Sequence, residues 1–173
     1  MTNGLTVRLR HDGQNLFAAV SSTGEGFPSL CVVQGDTIRV LHASAALGAV
    51  PYVRRGAEWS TSDTAFVYEM RNTALNEQAF RERREYLAQH RWVASTFRMG
   101  QGRSHEVQLS LQLLDHVPRI AMGYFRTQGA LVSWPEPLAS ASEGCAEPVL
   151  VRGAVPEHPR FQPEMYVELE LLP

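Results

Sequence analysis

The sequence predicts a mainly β (α+β) protein: an antiparallel β-sandwich or barrel with one central amphipathic helix at about residues 74–90. Three observations predict it. Apolar and polar residues alternate with period two in several segments, the pattern of a strand with one dry and one wet face. Gly- and Asp-containing turns separate those segments at short spacing, which suits hairpins and meanders. A single long segment instead repeats its apolar residues with helical spacing. Ten or more strands in 173 residues tend to curl into a barrel or split into two packed sheets, within one domain spanning 1–173.

The first strand is set by Leu5, Val7 and Leu9, which alternate with Thr6, Arg8 and Arg10. His11-Asp12-Gly13 turns the chain into a second strand at Asn15–Val20. Leu30–Val33 and Thr37–His42 flank the turn Gln34-Gly35-Asp36 and form the next pair. Ala49–Val53 and Thr64–Met70 follow as strands. From Ala74 to His90, Leu75, Ala79, Tyr86 and His90 share one stripe, with Phe80 and Leu87 beside it. Asn72 or Thr73 is placed to cap that helix, and Glu77 stands four residues before Arg81 in the favourable order.

After the helix, Trp92–Arg98 reads as a strand. Val107, Leu109, Leu111 and Leu113 then alternate with Gln108, Ser110 and Gln112. Arg119–Arg126 and Ala130–Trp134 pair across Thr127-Gln128-Gly129. A Pro/Ser/Ala/Glu stretch at 135–148 predicts a mobile loop. Pro148–Arg152 is a further short strand, and the three prolines of Pro156–Pro163 predict an extended segment. Met165, Val167, Leu169 and Leu171 close the pattern by alternating with Tyr166, Glu168 and Glu170.

Composition narrows the function. The formal charge is −2 and all 16 basic residues are Arg, so Lys-based chemistry, whether a Schiff base or a Walker-type phosphate lysine, is excluded. No apolar run approaches the 18 residues of a membrane-spanning helix. Met1–Arg10 lacks the apolar core of a secretory leader, which with only two cysteines predicts reduced thiols and a cytoplasmic location. Cys31 lies in an apolar stretch and reads as buried; Cys145 lies among Ser, Gly and Glu and reads as exposed. Neither Cys-x-x-Cys nor His-x-x-x-His spacing occurs, and no Gly-x-Ser-x-Gly elbow occurs, so no metal ligand, cofactor or catalytic residue is assigned.

Charge is unevenly spread. Arg71 to Arg103 holds seven Arg against three Glu, whereas Glu136 to the end holds seven Glu against two Arg. This predicts a non-catalytic β-rich binding or assembly module. Its arginine-rich helical face carries Arg81, Arg84, Arg91 and Arg98 beside Trp92, and it meets an acidic C-terminal third in a homo-oligomer or a protein partner. The same residues, interleaved with aromatics, allow single-stranded nucleic acid as a weaker expectation, against which the net charge counts. The alternative is a small-molecule-binding barrel. In that reading Trp59 walls a ligand mouth behind Arg54-Arg55, with Tyr68, Trp92, Tyr124 and Trp134 completing the lining.

Overall fold

Alternation in the sequence becomes strand pairing in a computed structural model that describes residues 4–42, 47–62, 66–67, 81, 85, 88–94, 103–138, 143–146 and 156–172. The strands are β1 (Leu5–His11), β2 (Asn15–Ser22), β3 (Gly26–Gln34), β4 (Thr37–His42), β5 (Leu47–Arg55), β6 (Glu58–Thr61), β7 (Phe66–Val67), β8 (Trp92–Ala94), β9 (Ser104–Ser110), β10 (Arg119–Arg126), β11 (Leu131–Trp134) and β12 (Val167–Glu168). They form two antiparallel sheets. The four-stranded sheet runs β1-β2-β9-β8. The eight-stranded sheet runs β11-β10-β3-β4-β5-β6, with β12 also pairing β10 and β7 also pairing β5. Neither sheet closes on itself, so the sandwich alternative of the fold expectation holds and the barrel does not.

Turn chemistry sets the first register. Gln14 and Asn15 donate their backbone N–H groups to Asp12 Oδ1 at 2.8 and 2.7 Å, and Gly13 takes φ +85°, which a residue with a Cβ adopts only under strain. Those two donors hold the Asp12 carboxyl below its usual range. The pairing that follows, Leu9 opposite Ala18 and Val7 opposite Val20, keeps Leu5, Val7 and Leu9 on the same face as Leu16, Ala18 and Val20.

That face packs against the large sheet. Leu16, Ala18, Val20, Trp92, Val107 and Leu109 from the small sheet share a core with Leu30, Val32, Leu41, Ile120, Met122, Tyr124 and Val132 from the large one. The large sheet's opposite face is also dry. Cys31, Ile38, Val40, Val50, Tyr52, Trp59 and Ala121 form a second core, covered by Leu138, Cys145, Phe161 and Tyr166. The molecule therefore has three layers: small sheet, large sheet, and a cover of irregular chain from the C-terminal third. This explains why β3 and β10 carry near-continuous apolar runs, since strands buried on both faces have no wet positions to alternate.

Several expectations need correction. The segment 135–148 is not a loose loop where it is described: it makes short 3-10 turns at Glu136–Leu138 and Gly144–Ala146, and Leu138 and Cys145 are fully buried. Cys145 is neither exposed nor a thiol, because it is disulfide-bonded to Cys31 with the Cα atoms 5.7 Å apart. The strand at 107–113 stops at Ser110, whose side chain accepts from the Gln112 N–H and starts a 3-10 turn; Leu113 still reaches the core. The C-terminal strand shrinks to Val167–Glu168, and the buried residue there is Tyr166 rather than Val167, Leu169 or Leu171. The central helix at 74–90 is not borne out: no long helix occurs among the described residues. There Arg81, Glu85, Ala88 and Gln89 are helical and exposed, while 74–80, 82–84 and 86–87 lie outside them. Residues 95–98 of the Trp92–Arg98 strand and the short strand at 148–152 lie outside them too, and no helix among the described residues is long and apolar enough to cross a membrane.

Candidate functional site

The β5–β6 hairpin supplies one wall of an open cleft of about 640 Å³. Arg54 and Trp59 are cross-strand partners, so antiparallel pairing puts both side chains on the covered face of the sheet. Tyr52 lies two residues before Arg54 on the same face. The opposite wall is the segment 158–164, in which Pro159 and Phe161 turn inward while His158, Arg160 and Glu164 stay exposed. Phe161 joins the walls: its ring centroid is 5.1 Å from that of Tyr52 and 5.5 Å from that of Trp59, the latter edge-on. The floor is thus aromatic, and the rim carries Arg54 and Arg160 together with Glu58, Glu164 and His158.

The second wall is fixed by residues 143–145. Gly144 donates its N–H to Arg160 O at 2.6 Å. A Cβ on Gly144 would stand 2.5 Å from the Phe161 ring, so glycine is what lets that ring pack against the turn. Glu143 is fully buried and accepts from the Cys145 N–H at 2.7 Å and from the Tyr166 hydroxyl at 2.9 Å. Burial first, and then the charge and hydrogen bond of Glu143, push the Tyr166 hydroxyl well above its ordinary pKa.

A second polar group lies deeper under the cover. Ser29 Oγ and His42 Nδ1 are 2.7 Å apart on that same sheet face, and both side chains are closed off from solvent. This serine–histidine contact satisfies one buried polar atom of each side chain. Among the described residues no group of three His, Cys, Asp or Glu side chains is arranged to hold a metal ion.

Of the described residues expected to bind, Trp59 lines the cleft, together with Arg54 of the Arg54-Arg55 pair. Arg81 is exposed on its helical turn. Arg91 is exposed too, and its backbone has a structural role. At φ 65° it follows the helical residues Ala88 and Gln89, donating to Ala88 O and accepting from the Ser110 N–H. Trp92 is a core residue, 3% exposed, so it offers no stacking platform. Tyr124 is also core, with its hydroxyl donating to Gly24 O. Arg84, Arg98 and Tyr68 lie outside the described residues.

Glu58, His158, Arg160, Phe161 and Glu164 escaped the sequence reading. The available signal was the proline-flanked aromatic in Pro159-Arg160-Phe161-Gln162-Pro163, a rigid segment with one large apolar side chain to seat. No protein-family model, curated protein or solved structure matches this chain.

Proposed function

We propose that the chain is a non-catalytic binding module whose site is the cleft between the β5–β6 hairpin and the segment 158–164. The reading is carried by one observation, the pairing of an aromatic floor with a rim of two guanidinium groups and two carboxylates in a volume suited to a small molecule. Two cations and two anions facing one hollow favour a compact zwitterion over a polyanion, because each charge of the ligand then finds an opposite one. The test is an NMR titration with free amino acids, dicarboxylates and quaternary amines in parallel. Saturable shifts at Arg54, Trp59 and Phe161 with the zwitterions, weakened about tenfold by Arg160→Gln, support the reading. Shifts that are absent, or spread evenly over the surface, sink it.

A second reading keeps the assembly function. Exposed Arg81 and Arg91 favour it. Part of the acidic third is neutralised at home, however: Glu168 pairs with Arg119 at 2.8 Å. Sedimentation at low and high salt decides it, since an assembly built on these charges dissociates as salt rises and is weakened by Arg81→Glu. The disulfide supports a site of action in an oxidising compartment and speaks against the cytoplasmic expectation.

A further inference from the structure

We propose that the cleft is seated by oxidation: the Cys31–Cys145 disulfide is the tie that holds its second wall in place, and the wall loosens when the disulfide is reduced. The inference adds regulation to the site proposed above, although its structural half stands without any ligand. The cover layer has few backbone ties to the sheet it lies on. Among the described residues they are the two-residue strand β12 against β10 and the bond from Leu169 N–H to Pro118 O. The disulfide fastens the layer at a different point, to the middle of β3, an interior strand flanked by β10 and β4.

What it fastens is the support of the cleft. Cys145 directly follows Gly144, on which Phe161 rests and whose N–H holds Arg160. Glu143, one residue further back, holds Tyr166 at the far end of the same wall. Three consecutive residues therefore brace both ends of the 160–166 segment, and the third of them is the covalent anchor. Loss of the anchor leaves Phe161 held by its packing and ring contacts and Arg160 by its bridge to Glu143, of which the Gly144 N–H bond is part.

Both sulfurs are buried, so exchange proceeds only when the layer lifts. Oxidation then needs a disulfide acceptor of the thiol–disulfide oxidoreductase class. One cysteine thiolate attacks the acceptor's disulfide to give a mixed disulfide. The other thiolate displaces it, and the acceptor leaves as a dithiol carrying the two electrons and the two protons. An external dithiol runs the same steps in reverse.

Hydrogen exchange read by mass spectrometry tests this on three samples: the oxidised chain, the chain reduced with a phosphine, and the double variant Cys31→Ala, Cys145→Ala. The expected result is faster exchange at 143–146 and 158–166 in the latter two, by on the order of tenfold or more beyond the common increase that lower global stability gives β2 and β9. Equal protection in all three samples overturns the proposal, because the wall then seats itself. An equal loss of protection in β2 and β9 also overturns it, because the disulfide then holds the whole fold rather than this layer. If redox-dependent exchange appears but no compound of the titration panel binds, the seating stands and the binding function fails.

Discussion

Tyr166 and Glu143 show how much one hydroxyl can carry when water is absent. Tyr166→Phe removes a donor from a fully buried carboxylate, and the expected cost is about 1–3 kcal/mol, read as a lower denaturant midpoint at unchanged slope. The same burial gives an alkaline limit. Tyr124 is raised to about 12, mainly by burial, and Tyr166 also lies well above its ordinary value. An unfolded tyrosine ionises near pH 10, so the advantage of keeping both phenols neutral is fully present below about pH 10 and is lost as pH rises through the folded values. Absorbance at the phenolate band is expected to show both tyrosines ionising only together with alkaline unfolding. Ionisation near pH 10 in the intact fold would contradict their burial. Neither tyrosine was singled out for this by the sequence: Tyr166 occupies a position that alternation assigns to the wet face, and its burial comes from the second core and from Glu143, which arrives from another segment.

Strands differ in how far alternation alone determines them. β1 and β9 each have one face toward solvent, and their period-two patterns give the inward sets directly, whereas β2 carries apolar Phe17 and Ala19 on its outer face. Leu109, fully buried and paired with Leu16, is expected to cost about 2–5 kcal/mol when replaced by alanine. Arg10→Ala on the outward face of β1 is expected to stay within about 0.5 kcal/mol. Thermal melts of the two variants check the pair, and similar shifts would mean that the faces are exchanged. Alternation misleads at β12. There Met165, Val167, Leu169 and Leu171 look like a dry face, but the ladder is two residues long and pleating has no length over which to act. Where no ladder fixes the period, side-chain direction follows tertiary contacts, and Tyr166 turns in.

At the scale of the molecule, the antiparallel β-rich body was legible because β1 and β9 announce their inner faces, but the choice between sandwich and barrel was not. Nor was the third layer. It is held by a disulfide, a buried carboxylate and a seated phenylalanine, all of them contacts between segments far apart in sequence, and no local pattern encodes them. For the same reason the cleft was half-seen: Trp59 and Arg54 are neighbours across a hairpin, whereas Arg160 and Phe161 reach them only through the cover. The disulfide closes a loop with a sequence separation of 114, for which loop-closure entropy predicts a loss of roughly 5 kcal/mol on removal in the chain-entropy model. Chemical denaturation of the Cys31→Ala, Cys145→Ala variant is expected to show a loss of about 2–5 kcal/mol, and no loss would mean that native packing opposes the bond.

The three-layer order also bears on how the chain is made. A ribosome delivers β1 to β11 before it delivers Cys145, so the sandwich strands emerge while the Cys31 face of the large sheet still lacks its cover. Throughout that interval Val40, Val50, Tyr52 and Trp59 form a bare apolar surface on the nascent protein, and Cys31 waits there as a thiol without its mate. Such a surface is what chaperones hold and what neighbouring chains stick to. The segment that follows β11 thus serves the protein twice, as a wall of its cleft and as the lid that ends its most aggregation-prone moment during synthesis.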